Sequence, residues 1–251
     1  MYSPLSNLIN LGIFLILEIW LVFLLFRRQV RRHFPVFFGY IFCATLSATA
    51  RLIVFRHYAA YFYVYWWTDA ALVLLSLLAL NQVFRWVFAA FYLLWWFRLF
   101  YYGTIVLVLL LTTLNASINP PIQAHPVLGL ILEVGVAANL LRIGIVVLFY
   151  LLTRALAVDF RRYSFGIILG FGVSSVGHLL GFLARSEFGT KLEVFANYSS
   201  AVAYLLGLAI WITAFFRAEP DEKAWTAPMS PHMMLEELEA YLKVLGFSRK
   251  K

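Results

Sequence analysis

The sequence predicts an all-α polytopic membrane protein, a bundle of seven transmembrane helices, and three observations support this prediction. Of the 251 residues, 63% are hydrophobic and 13% are charged, whereas soluble domains carry about 25% charged residues. The apolar residues form segments of about 20 residues, the length that a helix needs to cross a hydrocarbon core. Arginines cluster at segment ends, where positive charge sets the orientation of a membrane protein.

The bundle is predicted over residues 1–217. Its spans cover about residues 5–26, 34–55, 61–84, 99–115, 127–153, 165–184 and 194–216. The first span is followed by four arginines, Arg27, Arg28, Arg31 and Arg32. The positive-inside rule then places this end in the cytoplasm and the N-terminus outside.

The remaining boundaries follow from turn and charge signals. Pro35 fits the first turn of the second helix, where its missing N–H costs little. The third helix opens on an aromatic belt, YFYVYWWT, and ends near Arg85. Residues 115–126 contain the Asn and Pro residues of a loop. The later cytoplasmic ends are marked by Arg154, Arg161, Arg162 and Arg217.

Residues 86–98 allow two interpretations. They are rich in Trp, Tyr and Phe and include Arg98. We favour an interfacial helix lying in the headgroup layer. The alternative is the start of a long, tilted fourth helix.

Residues 218–251 are predicted to form a cytoplasmic tail with a short amphipathic helix over about 231–245. Ser230 and Pro231 are helix-start signals and Gly246 is a stop. Apolar residues fall on one helical face and basic residues follow. The helix therefore either lies on the inner leaflet or docks on a cytoplasmic protein partner.

Two pieces of sequence resemble a known group. FPVFFGY at 34–40 and YFYVYWWTDA at 61–70 are similar to segments of uncharacterised seven-helix bacterial inner-membrane proteins. The resemblance implies the same topology and a location in the bacterial inner (plasma) membrane, and it implies no activity.

Ionisable residues inside the spans are expensive and mark candidate sites. Arg51 and Asp69 lie a few residues to either side of the turn between the second and third helices. We predict that they form an ion pair that clasps this hairpin. Glu18 and Arg142 lie near the midplane at similar depths, and we predict a second ion pair there.

A third group of polar residues lies in the outer half of the bundle. Glu133, His178 and Asn197 come from three successive helices at similar depths. Glu133 is half a turn out of phase with Arg142, so the two face different sides of their helix. Small residues at Ala44, Ser47, Ala48 and along the sixth predicted helix, from Gly170 to Gly181, allow these faces to pack inward.

Several chemistries are excluded by residue type. Every lysine lies at position 191 or later, outside the spans, which excludes a covalently bound retinal. A bis-His haem needs two intramembrane histidines, and only His178 qualifies. The single cysteine, Cys43, cannot form an internal disulfide. We expect no cofactor and no metal site, and the placement of the basic residues argues against nucleic acid.

Three functions remain open. We favour a non-enzymatic protein, either a receptor-like binder of a small ligand or lipid in an outer polar pocket or an accessory subunit of a membrane complex. The second is a proton- or ion-linked transporter that uses Glu18, Asp69, Glu133 and His178. The third is a lipid-modifying enzyme in which His178 and a carboxylate act as acid and base.

Overall fold

The computed structural model describes residues 4–89, 91, 95–118, 126–155, 162–188, 192–217 and 236. Within them the protein is all-helical. The helices are α1 Pro4–Arg27, α2 Val30–His33, α3 Pro35–Val54, α4 Tyr58–Val87, α5 Trp95–Ile118, α6 Pro126–Ala155, α7 Arg162–Phe188 and α8 Glu193–Phe216. The predicted tail helix lies outside the described residues, apart from the single helical position Glu236.

Five stretches in the described part of the chain are long and apolar enough to cross a membrane. They are Pro35–Val54, Ala60–Val87, Gly135–Ala155, Arg162–Gly181 and Val194–Phe216. Helices α1 and α5 have 24 residues each, a length of about 36 Å at a rise of about 1.5 Å per residue. The prediction of an all-helical protein with several helices long and apolar enough to cross a membrane is thus confirmed.

Two local features differ from the expected boundaries. The basic segment after the first span contains the four-residue helix α2, which follows Gln29 in the left-handed conformation, with φ of 54°. Trp95 to Arg98 are continuous with α5, and Trp86 belongs to α4. The described residues of 86–98 therefore belong partly to the end of α4 and partly to the start of α5.

Helices α7 and α8 pack closely against each other because small residues line their contact. A Cβ atom on Gly177 would collide with Ala203 Cβ and lie 2.9 Å from the Ser199 carbonyl oxygen. A Cβ atom on Gly181 would likewise lie 2.8 Å from the Ala196 carbonyl oxygen. The small-residue stripe predicted on this helix therefore serves close backbone packing.

One half of the bundle, called the packed half, is filled with aromatic side chains and contains α2. Phe37, Phe171 and Trp211 are each at most 1% exposed. The Phe37 and Phe171 ring centroids lie 5.4 and 5.0 Å from that of Trp211. A second cluster joins α4, α5 and α6 through Phe88, whose ring lies 5.5 Å from Phe149. Such edge-to-face contacts add to the stability gained by burial.

Side-chain hydrogen bonds tie the chain together at this end. Arg28 Nη2 donates to the Phe216 carbonyl oxygen at 2.6 Å, where α8 ends. Gln82 accepts from the Val36 backbone N–H at 3.0 Å and donates to the His33 carbonyl oxygen at 3.4 Å. These bonds satisfy backbone groups that a helix end leaves without partners.

Candidate functional site

The other half of the bundle, called the cavity half, encloses a cavity of about 690 Å³. Side chains from α1, α3, α4, α6, α7 and α8 line it, and no described residue of α5 does. It begins beside Tyr40, next to the packed half, and extends to the exposed side chains of Arg56 and Tyr198 at the bundle end. Its volume falls within the usual range for small-molecule pockets.

Glu18 is the most deeply buried acid in the cavity, with 3% of its side chain exposed. It lies on α1, and the Tyr204 hydroxyl on α8 donates to its Oε1 at 2.5 Å. Its Oε2 is buried and accepts no hydrogen bond within the described structure. One oxygen of this cavity-lining carboxyl group therefore has unused hydrogen-bonding capacity in the described structure.

Arg142 is held in the wall by its own helix. Its Nη1 donates to Asn139 Oδ1 at 3.2 Å, and Asn139 Nδ2 donates to the Gly135 carbonyl oxygen at 2.8 Å. These residues share one face of α6 because positions three and four apart are neighbours on a helix. Arg142 is 9% exposed, and its Nε makes no hydrogen bond in the described part of the protein.

Arg51 joins α3 to α4 at the cavity wall. It donates to Thr68 Oγ1 from Nε at 3.1 Å and from Nη2 at 2.7 Å, and to the Tyr65 carbonyl oxygen at 3.3 Å. Its Cζ also lies 4.4 Å from the centroid of the Tyr65 ring. Arg51 thus bridges the hairpin through a threonine and a tyrosine.

The two predicted ion pairs do not occur among the hydrogen bonds of the described residues. Asp69 follows Thr68 and lines the cavity beside the Arg51 contacts. The electrostatic interactions across the cavity run from Arg51 to Glu18 and from Asp69 to Arg142. The charges are therefore distributed around one space, and direct pairing of Arg51 with Asp69 or of Glu18 with Arg142 stays a prediction.

His178 lines the same cavity and is half-buried. Its Nδ1 lies 2.7 Å from the Ser174 carbonyl oxygen, four residues earlier on α7. Because a carbonyl oxygen only accepts, Nδ1 carries the proton in this contact. The other ring nitrogen then differs chemically from Nδ1 in the neutral imidazole.

The structure brings five of the seven predicted site residues to one cavity. They are Glu18, Arg51, Asp69, Arg142 and His178. His178 of the predicted outer layer thus lines the same cavity as Glu18 and Arg142, which were predicted near the midplane. The side chains of Glu133 on α6 and Asn197 on α8 lie outside the described part of the structure.

The partners that hold these charges were not predicted from the sequence. Tyr204 and Tyr65 are two of 14 tyrosines, and Thr68 is a neutral residue next to Asp69, so nothing local identifies them as partners. Helical spacing does place Tyr204 on the same face of α8 as Ala201, which also lines the cavity.

No protein-family model, curated protein or solved structure matches this chain. Among the described residues, no group of three His, Cys, Asp or Glu side chains is arranged to hold a metal ion.

Proposed function

We propose that this is a seven-helix integral membrane protein that binds a small polar ligand in the cavity without transforming it. In this proposal α1 and α5 also cross the membrane, and the protein resides in the bacterial inner membrane. The end of α1 nearest Arg28 and the tail lie in the cytoplasm, as the arginine clusters predict. The cavity then opens toward the outside.

The observation that carries the proposal is the pair of buried polar atoms in the cavity wall. Glu18 Oε2 and Arg142 Nε lack hydrogen-bond partners within the described structure, although both side chains are more than nine-tenths buried. A buried polar group without a partner costs about 1–3 kcal/mol. Such atoms usually have an explanation in a bound molecule or in function.

Ligand binding is tested by extracting small molecules from the purified protein and identifying them by mass spectrometry. Ala44 lines the cavity and is 3% exposed, so Ala44→Trp fills the space. Leu46 lies on the same helix and is 54% exposed, so Leu46→Trp is the matched control. We expect a compound that co-purifies with the wild type and with Leu46→Trp but not with Ala44→Trp.

The filled variant needs a folding check. Ala44→Trp is used only if its elution volume and melting temperature match those of Leu46→Trp; otherwise Ala48→Phe, at another cavity-lining position, replaces it. A compound profile that is the same in all variants contradicts ligand binding in the cavity.

A proton-linked transporter is the second candidate, because Glu18 and Asp69 line one cavity that reaches an exposed end. Two carboxylates along a continuous polar space are what a proton relay requires. Proteoliposomes containing a pH-sensitive dye test it. Transport predicts that the co-purified compound drives proton uptake in the wild type and in neither Glu18→Gln nor Asp69→Asn. Uptake that is the same with and without the compound contradicts it.

The accessory-subunit alternative predicts a stable protein partner. Gentle extraction followed by mass spectrometry of the complex tests this, and the tail at 218–251 is the segment to delete. Loss of a stoichiometric partner on deletion supports the alternative, and purification of the full chain alone contradicts it.

A further inference from the structure

Building on the ligand-binding function proposed above, we propose that the ligand is a zwitterion. It carries an ammonium group together with a carboxylate or phosphate group, and it has an apolar portion. Two sources have this chemistry, a free amino-acid-like solute and the headgroup of an aminophospholipid.

The charges inside the cavity balance each other. Among the lining residues that are not exposed, Glu18 and Asp69 contribute two formal negative charges, and Arg51 and Arg142 contribute two positive ones. A fifth charged residue, Arg56, is exposed at the bundle end. The four inner charges sum to zero but are spread around the wall, since neither acid is hydrogen-bonded to an arginine in the described structure. A ligand with a single charge would bring an uncompensated charge into a buried site, which is costly. A zwitterion brings none.

The cavity wall also contains both a hydrogen-bond acceptor and a hydrogen-bond donor without a partner in the described structure. Glu18 Oε2 is an acceptor suited to an ammonium group, and Arg142 Nε is a donor suited to a carboxylate or phosphate. Both belong to side chains that are already fixed by other contacts, to Tyr204 and to Asn139. Fixed partners lose little conformational entropy when a ligand binds.

Aromatic rings lie near Glu18 in the cavity wall. Phe14 and Tyr204 both line the cavity, and their ring centroids lie 5.4 Å apart in an edge-to-face arrangement. Aromatic faces attract cations, most strongly where water is excluded. The acid and the two rings together form a subsite for an ammonium group.

The cavity is also large, and part of its wall is apolar. Leu11, Leu72 and Val73 line it beside the charged residues, and its volume is about 690 Å³. That volume leaves room for an apolar group beyond the two charged ends of the ligand.

Matched probes test the charge requirement. Titration calorimetry on the full chain in phosphatidylglycerol nanodiscs compares L-leucine with 4-methylpentanoate, which lacks the ammonium, and with isoamylamine, which lacks the carboxylate. O-phosphoethanolamine represents the headgroup. We expect at least one zwitterion to bind at least about tenfold more tightly than either single-charge probe, because each single-charge probe loses one charge-assisted hydrogen bond.

The lipid environment distinguishes the two sources. The measurements are repeated in nanodiscs that contain phosphatidylethanolamine. Unchanged binding of L-leucine identifies a solute. Displacement of O-phosphoethanolamine, or stabilisation of the protein by phosphatidylethanolamine alone, identifies a headgroup. Equal affinity for a zwitterion and a single-charge probe overturns the proposal, and so does binding of no probe in either lipid.

Variants of Glu18 and Arg142 test which residue binds which charged end of the ligand. Glu18→Gln is expected to weaken zwitterion binding at least tenfold while binding of 4-methylpentanoate is kept or improved, with Glu236→Gln as an exposed control. Arg142→Gln is expected to do the reverse, keeping isoamylamine, with the exposed Arg98→Gln as its control. If Arg142→Gln does not fold, Arg142→Lys keeps the charge without Nε. Unchanged zwitterion affinity in Glu18→Gln and in the arginine variant overturns the assignment.

The two proposals fail in different ways. A compound that co-purifies only when the cavity is open, and that is not a zwitterion, overturns the ligand class and leaves ligand binding standing. Absence of any cavity-dependent compound, together with silent probes, overturns both.

Discussion

The two halves of the bundle share six helices, α1, α3, α4, α6, α7 and α8, but these helices carry different side chains in each half. In the packed half, rings such as those of Phe37 and Trp211 fill the space between helices and are completely buried. In the cavity half, the facing positions carry small residues such as Ala44 and Ser47 beside charged ones such as Arg51. The difference shows how one helical scaffold combines a stable base with an open polar site.

The division also explains where the cavity ends inside the bundle. Tyr40 is its deepest lining residue on α3, and its ring lies 5.0 Å from Phe171 and 6.1 Å from Trp211. Below it the aromatic cluster closes the bundle. We therefore expect stability to depend mainly on the packed half, whereas the proposed ligand binding would depend on the cavity half.

The largest expected effect comes from opening the packed half. Trp211 is fully buried and its Nε1 donates to the Ile167 carbonyl oxygen at 3.2 Å. Trp211→Ala is expected to lower the free energy of unfolding by about 3–5 kcal/mol. Reversible denaturation in detergent measures it, with Trp67→Ala, whose side chain is 75% exposed, as the control. Equal losses in both variants contradict the division into halves.

The next effect concerns the α7–α8 contact. Gly177→Ala places a Cβ against Ala203 and the Ser199 carbonyl oxygen, and overpacking of this kind costs about 1–3 kcal/mol. Gly39→Ala is the matched control, because its Cβ meets nothing within 4 Å. It is expected to stabilise the protein by up to about 1 kcal/mol through helix propensity. Thermal denaturation of both variants checks the opposite signs, and a stabilised Gly177→Ala contradicts the tight contact.

A smaller effect tests how the hairpin is held in the cavity half. Thr68→Val removes the hydroxyl oxygen that accepts two of the three hydrogen bonds donated by Arg51. We expect a loss of about 1–2 kcal/mol, larger than that of Asp69→Asn, measured by chemical denaturation. Thr213→Val, whose hydroxyl is exposed and bonds only within its own helix, is expected to change stability by less than about 0.5 kcal/mol. A larger loss in Asp69→Asn favours the direct ion pair instead.

The smallest effect is expected at the end of the packed half. Arg28→Gln loses the bond to the Phe216 carbonyl oxygen, and we expect a cost of about 0.5–1.5 kcal/mol. Arg27→Gln, at the exposed neighbouring position, serves as the control in the same denaturation assay. Matching denaturation curves for the two variants contradict a stabilising role for this hydrogen bond. Arg28 would then act only on the orientation of the protein in the membrane.

The helices were predictable because their signals are local. Apolar length and terminal arginines locate a span without knowledge of its neighbours, and small residues such as Ser47 and Gly177 mark an inward face. The helix α2 was missed because its sequence, VRRH, carries no apolar period.

The site was predictable as a set of residues but not as a set of bonds. Intramembrane charges such as Glu18 and Arg142 stand out in any apolar sequence. Their partners depend on rotamers and on which helices are adjacent. For this reason depth alone suggested Asp69 as the partner of Arg51, whereas the hydrogen bonds go to Thr68 and Tyr65.

The Glu18–Tyr204 bond has a consequence for biosynthesis, because it joins residues 186 positions apart. At about 5–20 residues per second, the first helix is made roughly 10–40 s before Tyr204 is added. Throughout that interval Glu18 lacks its Tyr204 partner. The cavity is thus completed only when the last of its lining helices, α8, has been synthesised.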